Sequence, residues 1–168
     1  MEKEILEQYV EQLKQQKEEA FDVIYDTYKN LIYFCMYQIT KDASTSEDLL
    51  QEAFIKMYEN INLYKQNTNF KAWFVKLAKN IALNYLRNKK ETVIYEDKTQ
   101  RENKDFEKET FEVIKHLETF LSKEETEVVI LKIIYDFTHQ EIANTLDKPL
   151  GTILWMYQKA VQKMKKYY

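Results

Sequence analysis

The 168-residue chain contains one glycine, one proline and one cysteine. Each scarcity excludes something. Tight hairpins between strands draw on residues that tolerate positive φ, glycine first, whereas helices do not. A chain this poor in glycine is therefore read as all-α. The lone Cys35 permits no intramolecular disulfide and suits a reducing cytosol, so the expected location is cytoplasmic. Long apolar runs are missing as well. Nothing approaches 18 apolar residues, and the opening MEKEILEQYVEQ is charged throughout, so neither a signal peptide nor membrane insertion is expected. The two histidines, His116 and His139, lie far from each other and from Cys35. That spacing predicts no metal set, no nucleophile–base pair, no cofactor and no enzymatic activity.

What is present is core material and unevenly placed charge. With 45% hydrophobic and 14% aromatic residues, the chain has enough apolar surface for a packed interior. The net charge of −3 argues against indiscriminate coating of nucleic acid. Apolar phase predicts a short helix over residues 5–16, then a long one from Glu19 to Thr40 with Phe21, Ile24, Tyr25, Tyr28, Ile32, Cys35, Met36 and Ile39 inward. Two further helices follow before Lys90. The mixed-charge stretch from Glu91 to Lys108 has little apolar phase and reads as a tether. Two small helical domains are thus expected, over residues 1–90 and 109–168, with a linker over 91–108.

The stretch from Ser44 to Lys90 is sorted by sign. Its first helix has Ser44 and Glu47 at capping-box spacing and a stripe of Leu50, Ala53, Phe54, Met57 and Ile61. Roughly opposite lie Asp48, Glu52, Ile55 and Glu59, with Leu49 and Gln51 at the margins. Acids alone on an outer face are ordinary solvation. Leu49 and Ile55 among them make a docking face the sharper reading. From Phe70 to Lys90 the second helix has no acid, against Lys71, Lys76, Lys79, Arg87, Lys89 and Lys90. Its expected buried stripe is Phe70, Trp73, Phe74, Leu77, Ile81 and Tyr85, with Lys76, Lys79, Asn80, Arg87 and Lys90 projecting away. An acidic chain that strips acids from one helix presents that helix to negative charge, phosphate first. The plainer alternative is a basic helix neutralised by acidic neighbours within the fold. Between the two helices, Asn67, Thr68 and Asn69 are side chains suited to an exposed base edge, and also ordinary loop residues.

The last third carries further helix-start signals. Ser122 with Glu125, and Thr138 with Glu141, have capping-box spacing. The first opens a helix whose EVVILKIIYDF run is expected to be largely buried; the second opens the short helix HQEIANTL. Asp147 and Lys148 make a turn, and Pro149 is placed at the first position of the next helix. There Ile153, Tyr157, Ala160, Val161 and Met164 point inward, and Thr152, Trp155, Gln158, Lys159 and Gln162 outward. Short helix, tight turn, longer helix is helix-turn-helix architecture, and its exposed Thr, Gln and Lys suit a major groove. A helical hairpin that merely packs is the alternative.

With these segments in order, the chain resembles bacterial RNA polymerase sigma factors of the extracytoplasmic-function (ECF) type, in the sigma-70 family. SEDLLQEAFIKMY resembles the region 2 helix that grips the clamp of the polymerase β′ subunit. NFKAWFVKLAKNIALNYLRNKK resembles the element that captures the melted −10 strand. LSKEETEVVILKIIYDFTHQEIANTLDKPLGTILWMYQKAVQKMKK is similar to region 4, which reads the −35 element and touches the β flap. The resemblance covers about residues 20–90 and 109–166. It implies a promoter-specificity subunit whose partners are core RNA polymerase, promoter DNA and, as the family commonly uses, an anti-sigma protein. By position it gives Asp48, Gln51 and Glu52, beside Leu49 and Ile55, to the clamp. Asn67, Asn69, Lys71, Lys76, Lys79, Asn80, Asn84 and Arg87 go to the −10 strand, and Thr152, Trp155, Gln158 and Lys159 to the −35 groove.

One segment departs from the family. Where basic or hydroxyl residues usually follow the Gly-Thr of the recognition helix, this chain has Leu154, Trp155 and Met156. Three readings of the outward indole stay open: contact with thymine methyls or sugar in the groove, cover by an anti-sigma protein, or packing against the other domain. Two other functions also stay open, a helix-turn-helix regulator acting without polymerase and a sigma-like decoy.

Overall fold

Six consecutive side chains, Leu31 to Met36, are buried, which an amphipathic surface helix cannot achieve. Their helix is the centre of the first unit. The computed structural model describes residues 1–91 and 108–168, with side chains over 1–90 and 111–168. Eight α-helices occur among the described residues, and no strand does: α1 (Lys3–Lys14), α2 (Glu18–Thr40), α3 (Ala43–Glu59), α4 (Phe70–Glu91), α5 (Lys108–Leu117), α6 (Lys123–Ile133), α7 (His139–Thr145) and α8 (Leu150–Tyr167). A 3₁₀ turn, Ile61–Leu63, follows α3. The fold is all-helical, in two compact units, Met1–Asn103 and Lys104–Tyr168. Apart from its end residues, the tether expected over 91–108 lies outside the described residues. No helix among the described residues is long and apolar enough to cross a membrane.

In the first unit α2 packs on α1, α3 and α4, and α3 also packs on α4. Aromatic rings fill the junction. The Phe54 ring lies 4.7 Å from that of Tyr25 and 5.0 Å from that of Phe74, while Phe70 meets Tyr28 and Tyr64 edge-on. Such offset and edge-to-face pairs add roughly 0.5–1.5 kcal/mol each to what their burial contributes. In the second unit α8 packs on α6 and α7, closing over Val128, Leu131, Ile142, Ile153 and Ala160.

The expected start of α3 moves. Lys41, at φ 54°, ends α2 by donating its N–H to the Tyr37 carbonyl, which leaves one residue before the next helix. That residue, Asp42, is the N-cap, its Oδ2 accepting the Thr45 N–H at 2.8 Å. Ser44 and Glu47 form no capping box, because the helix has already begun. The stripe from Leu50 to Ile61 is buried as expected, but Leu49 is buried too, at 4% exposure. The cause is packing on two sides: α3 meets both α2 and α4, so its buried arc is wider than one stripe.

On α4 the buried face is Phe70, Phe74, Val75, Ala78 and Ala82, whereas Trp73, Leu77, Ile81 and Tyr85 are half-buried on its flank. Small side chains let helices approach closely, and Ala78 and Ala82 are fully buried where the larger Trp73, Leu77 and Ile81 are not. Within the EVVILKIIYDF run Val128 to Leu131 and Phe137 are buried, whereas Ile133, in the last turn of α6, is 58% and Ile134, its C-cap, 41% exposed. Pro149 is the N-cap of α8, not its first helical residue. Met156, grouped in sequence with the outward Trp155, belongs to the core, whereas Tyr157, Val161 and Met164 are half-buried.

The single glycine is not used for its conformational freedom. Positive φ occurs at Gln16, Lys41, Asn67, Asp136 and Asp147, each between two helices, while Gly151 lies within α8. Asn and Asp tolerate this region better than most residues, since their side chains bond to nearby backbone.

Candidate nucleic-acid interface

Asp48, Gln51, Glu52 and Ile55 share the exposed face of α3, with Ile55 57% exposed. Leu49, the remaining residue expected there, faces the core. A turn further on, Lys56 and Glu59 pair at 2.8 Å, and that hydrogen bond raises the pKa of the ammonium above its ordinary value. The face is acidic with one large apolar side chain at its centre.

Lys76, Asn80, Asn84 and Arg87 recur at three- and four-residue steps and are all exposed, so they form one row along α4. The Arg87 guanidinium donates to Asn84 Oδ1, and Lys89 lies 6.0 Å from the Tyr85 ring. Lys71 and Lys79 are half-buried on the flanks of this row. Asn69 serves the helix itself: its Oδ1 accepts the Ala72 N–H at 2.9 Å, an N-cap bond.

The loop before α4 is held from an unexpected quarter. Glu7 of α1 is only 6% exposed, and its two oxygens accept from one short segment. Tyr64 Oη donates to Oε1 at 2.6 Å, and the Asn67 N–H donates to Oε2 at 3.0 Å. Lys3 Nζ reaches the Asn67 carbonyl at 3.2 Å, and Lys14 Nζ the Tyr64 carbonyl at 3.4 Å. Burial, and then the bond to Glu7, push the Tyr64 phenol up to about 12, so it remains a donor. Burial, followed by the nearby Tyr64 and Glu7, raises Tyr28 as well. Sequence reading missed Glu7. The available signal was Lys3, Glu7, Val10 and Lys14, which share one helical face that is part inward.

In the second unit both capping boxes are complete. Ser122 and Glu125 exchange side-chain and backbone bonds at the start of α6, as do Thr138 and Glu141 at the start of α7. The turn closes with the Lys148 N–H donating to the Ala143 carbonyl at 3.0 Å, Asp147 being at φ 49°. Thr152, Trp155, Gln158 and Lys159 are exposed along α8, as their phase predicted. Lys159 also faces inward at its tip, 3.7 Å from Glu125 Oε1, while Lys163 lies 2.7 Å from Oε2. Burial alone would raise the Glu125 pKa; the Lys163 bond, the Ser122 N–H and the two lysine charges outweigh it and lower it. His116 packs against Phe120 and His139 against Tyr157. Among the described residues no group of three or more His, Cys, Asp or Glu could hold a metal ion.

Residues 24–92 match the family model for sigma-70 region 2. Over 96% of both chains the protein is 26% identical to the ECF RNA polymerase sigma factor SigW of Bacillus subtilis. It is 38% identical to SigM of the same organism across 46% of this chain and 48% of that one. Its fold is similar to that of CnrH solved with the cytosolic domain of CnrY (TM-score 0.66, 13% identity, 96% of this chain and 95% of that one). It is similar also to RpoE solved with the anti-sigma factor NepR from Bartonella quintana (TM-score 0.62, 16% identity, 87% and 94%). The class is therefore an RNA polymerase sigma factor, a non-catalytic subunit that directs promoter-specific transcription initiation. Within that class its similarity is to the ECF branch of the sigma-70 family.

Proposed function

We propose that three exposed faces divide the sigma factor's work. The α3 face, with Asp48, Gln51, Glu52 and Ile55, docks on the β′ clamp of core polymerase. The α4 row, with Lys71, Lys79 and the Asn67–Asn69 loop beside it, captures the melted −10 strand. The outer face of α8 enters the −35 groove, and the second unit rests on the β flap. The observation that carries this reading is the contrast between two packed neighbours: exposed carboxylates and Ile55 on α3, no acid from Phe70 to Lys90 on α4. Cations placed along a row recruit phosphates without regard to sequence, which an unwound strand supplies. An anti-sigma protein fits the same reading, since relatives of this fold have been crystallised with such partners. Work on core polymerase is cytoplasmic work, and the buried thiol of Cys35 suits that compartment.

The test is assembly followed by transcription. Wild-type protein is expected to co-elute with bacterial core polymerase and to support run-off transcription from genomic fragments. Glu52→Arg, on the exposed face, is expected to abolish co-elution without lowering the melting temperature. Unchanged co-elution would remove the docking role from α3. Binding without transcription would replace this reading by that of a decoy.

A further inference from the structure

The segment Tyr64–Asn67 leads into the loop to which the −10 strand is assigned above, and α1 grips it at both ends. The hydroxyl of Tyr64 and the N–H of Asn67 converge on one buried carboxylate, Glu7, at 2.6 and 3.0 Å. Lys3 takes the Asn67 carbonyl, so both backbone polar groups of that residue are bound by α1. Asn67 itself sits at φ 62°, a left-handed turn conformation that asparagine adopts more readily than most L-residues. Tyr64 is in turn wedged between Phe70 and Trp73, at 5.4 and 5.5 Å between ring centroids, which ties the grip to the first turn of α4. A groove of about 460 Å³ behind the loop is lined by Glu4, Glu7 and Glu11 with Gln66 and Asn67. Three carboxylates there repel phosphate, so α1 acts on a strand through the loop and not by touching it.

We infer that Glu7 is a positioning residue for base recognition: by bridging Tyr64 and the Asn67 backbone it sets the shape in which the Asn67–Thr68–Asn69 loop meets the −10 strand. The inference rests on the strand-binding role proposed for that loop. A carboxylate suits the task because it accepts two bonds at once and donates none, so a hydroxyl and an amide can be held side by side. Base discrimination depends on polar groups held to within fractions of an ångström, whereas attraction of phosphate by lysines does not. Loss of Glu7 is therefore expected to blur base preference while leaving the salt dependence of binding unchanged.

The full chain, assembled with bacterial core polymerase, is offered a single-stranded DNA pool randomised over six positions, and the bound fraction is sequenced. Preferred and disfavoured oligonucleotides are then titrated individually at several salt concentrations. Glu7→Leu and Tyr64→Phe are expected to reduce the preference ratio about tenfold, with an unaltered salt slope. Glu7→Gln is expected to restore it to about twofold of wild type, because its amide oxygen accepts from Asn67 while its NH₂ donates to the Tyr64 hydroxyl. Val10→Ala is the control for stability, since it removes buried packing from the same helix without touching the loop. If Glu7→Leu keeps the wild-type ratio, the positioning role is wrong and the loop's own role survives. Equal loss in Val10→Ala, or no recovery in Glu7→Gln, reduces Glu7 to a structural residue. A wild-type protein without base preference removes the strand-reading loop, and this inference with it.

Discussion

The ammonium of Lys159 stands 4.8 Å above the ring of Trp155, one helical turn away on α8. The indole, standing where the family resemblance leads one to expect a basic or hydroxyl residue, is thus covered by a cation from the next turn. That cation is also 3.7 Å from the buried Glu125 carboxylate, so it is held from two sides. The outer face of α8 presents an aromatic–cation pair, anchored to α6.

Removing the indole should therefore affect recognition more than folding. A cation–π contact at an exposed site is worth about 0.5–1 kcal/mol, so Trp155→Ala should lower stability by no more than that. Binding of promoter duplex, or of an anti-sigma protein, should weaken by about fivefold, the equivalent of roughly 1 kcal/mol. Fluorescence anisotropy with labelled duplex and a urea melt decide it. If neither affinity moves, the pair has no part in binding.

Glu125 makes the second unit sensitive to acid. Its folded-state carboxyl is held below the ordinary value of 4.5, so the stability it contributes is present above that pH. It is lost as pH falls through the lowered folded value. Hydrogen-exchange protection factors in α6 and α8, taken against the intrinsic rate at each pH, should therefore fall from about pH 4.5 downward, and Glu125→Gln should flatten this dependence. Lys163→Met should cost about 1 kcal/mol at neutral pH, after allowance for the partial exposure of the lysine. A pH profile identical in Glu125→Gln would show that other carboxylates carry the acid response.

Lys79→Glu tests the basic flank of α4. Single-stranded DNA should bind less tightly, and the slope of log affinity against log salt should shrink by about 0.7 for each phosphate that the variant no longer neutralises. Arg87→Ala, in the exposed row, should act in the same direction. Equal affinity and equal slope in both variants would detach the helix from nucleic acid.

Much of this was legible in the residues. Caps are local, made between residues three apart, so Ser122–Glu125 and Thr138–Glu141 could be read directly and both boxes are complete. The start of α3 was harder, because Asp42 competes with Ser44 and only the left-handed Lys41 before it decides between them. Phase placed Lys76, Asn80, Arg87 and Lys90 of α4 outward and Phe70 and Phe74 inward, as found, but it also put the half-buried Lys79 outward and missed the buried Val75, Ala78 and Ala82. Ala78 and Ala82 look too small to lead a core until a neighbouring helix is seen against them. Leu49 was placed at an interface on the assumption that α3 buries one stripe, and it buries more.

Charge sorting, helix count and the helix-turn-helix order were determined by the sequence alone, since each depends on composition or on spacing within one or two turns. Only the tertiary structure decided which lysine is held and which carboxylate is buried. Glu7 and Glu125 look like any surface glutamate, yet one meets a tyrosine 57 residues away and the other a lysine 38 residues away. Burial of a charge depends on partners brought together by packing, and no local pattern records them.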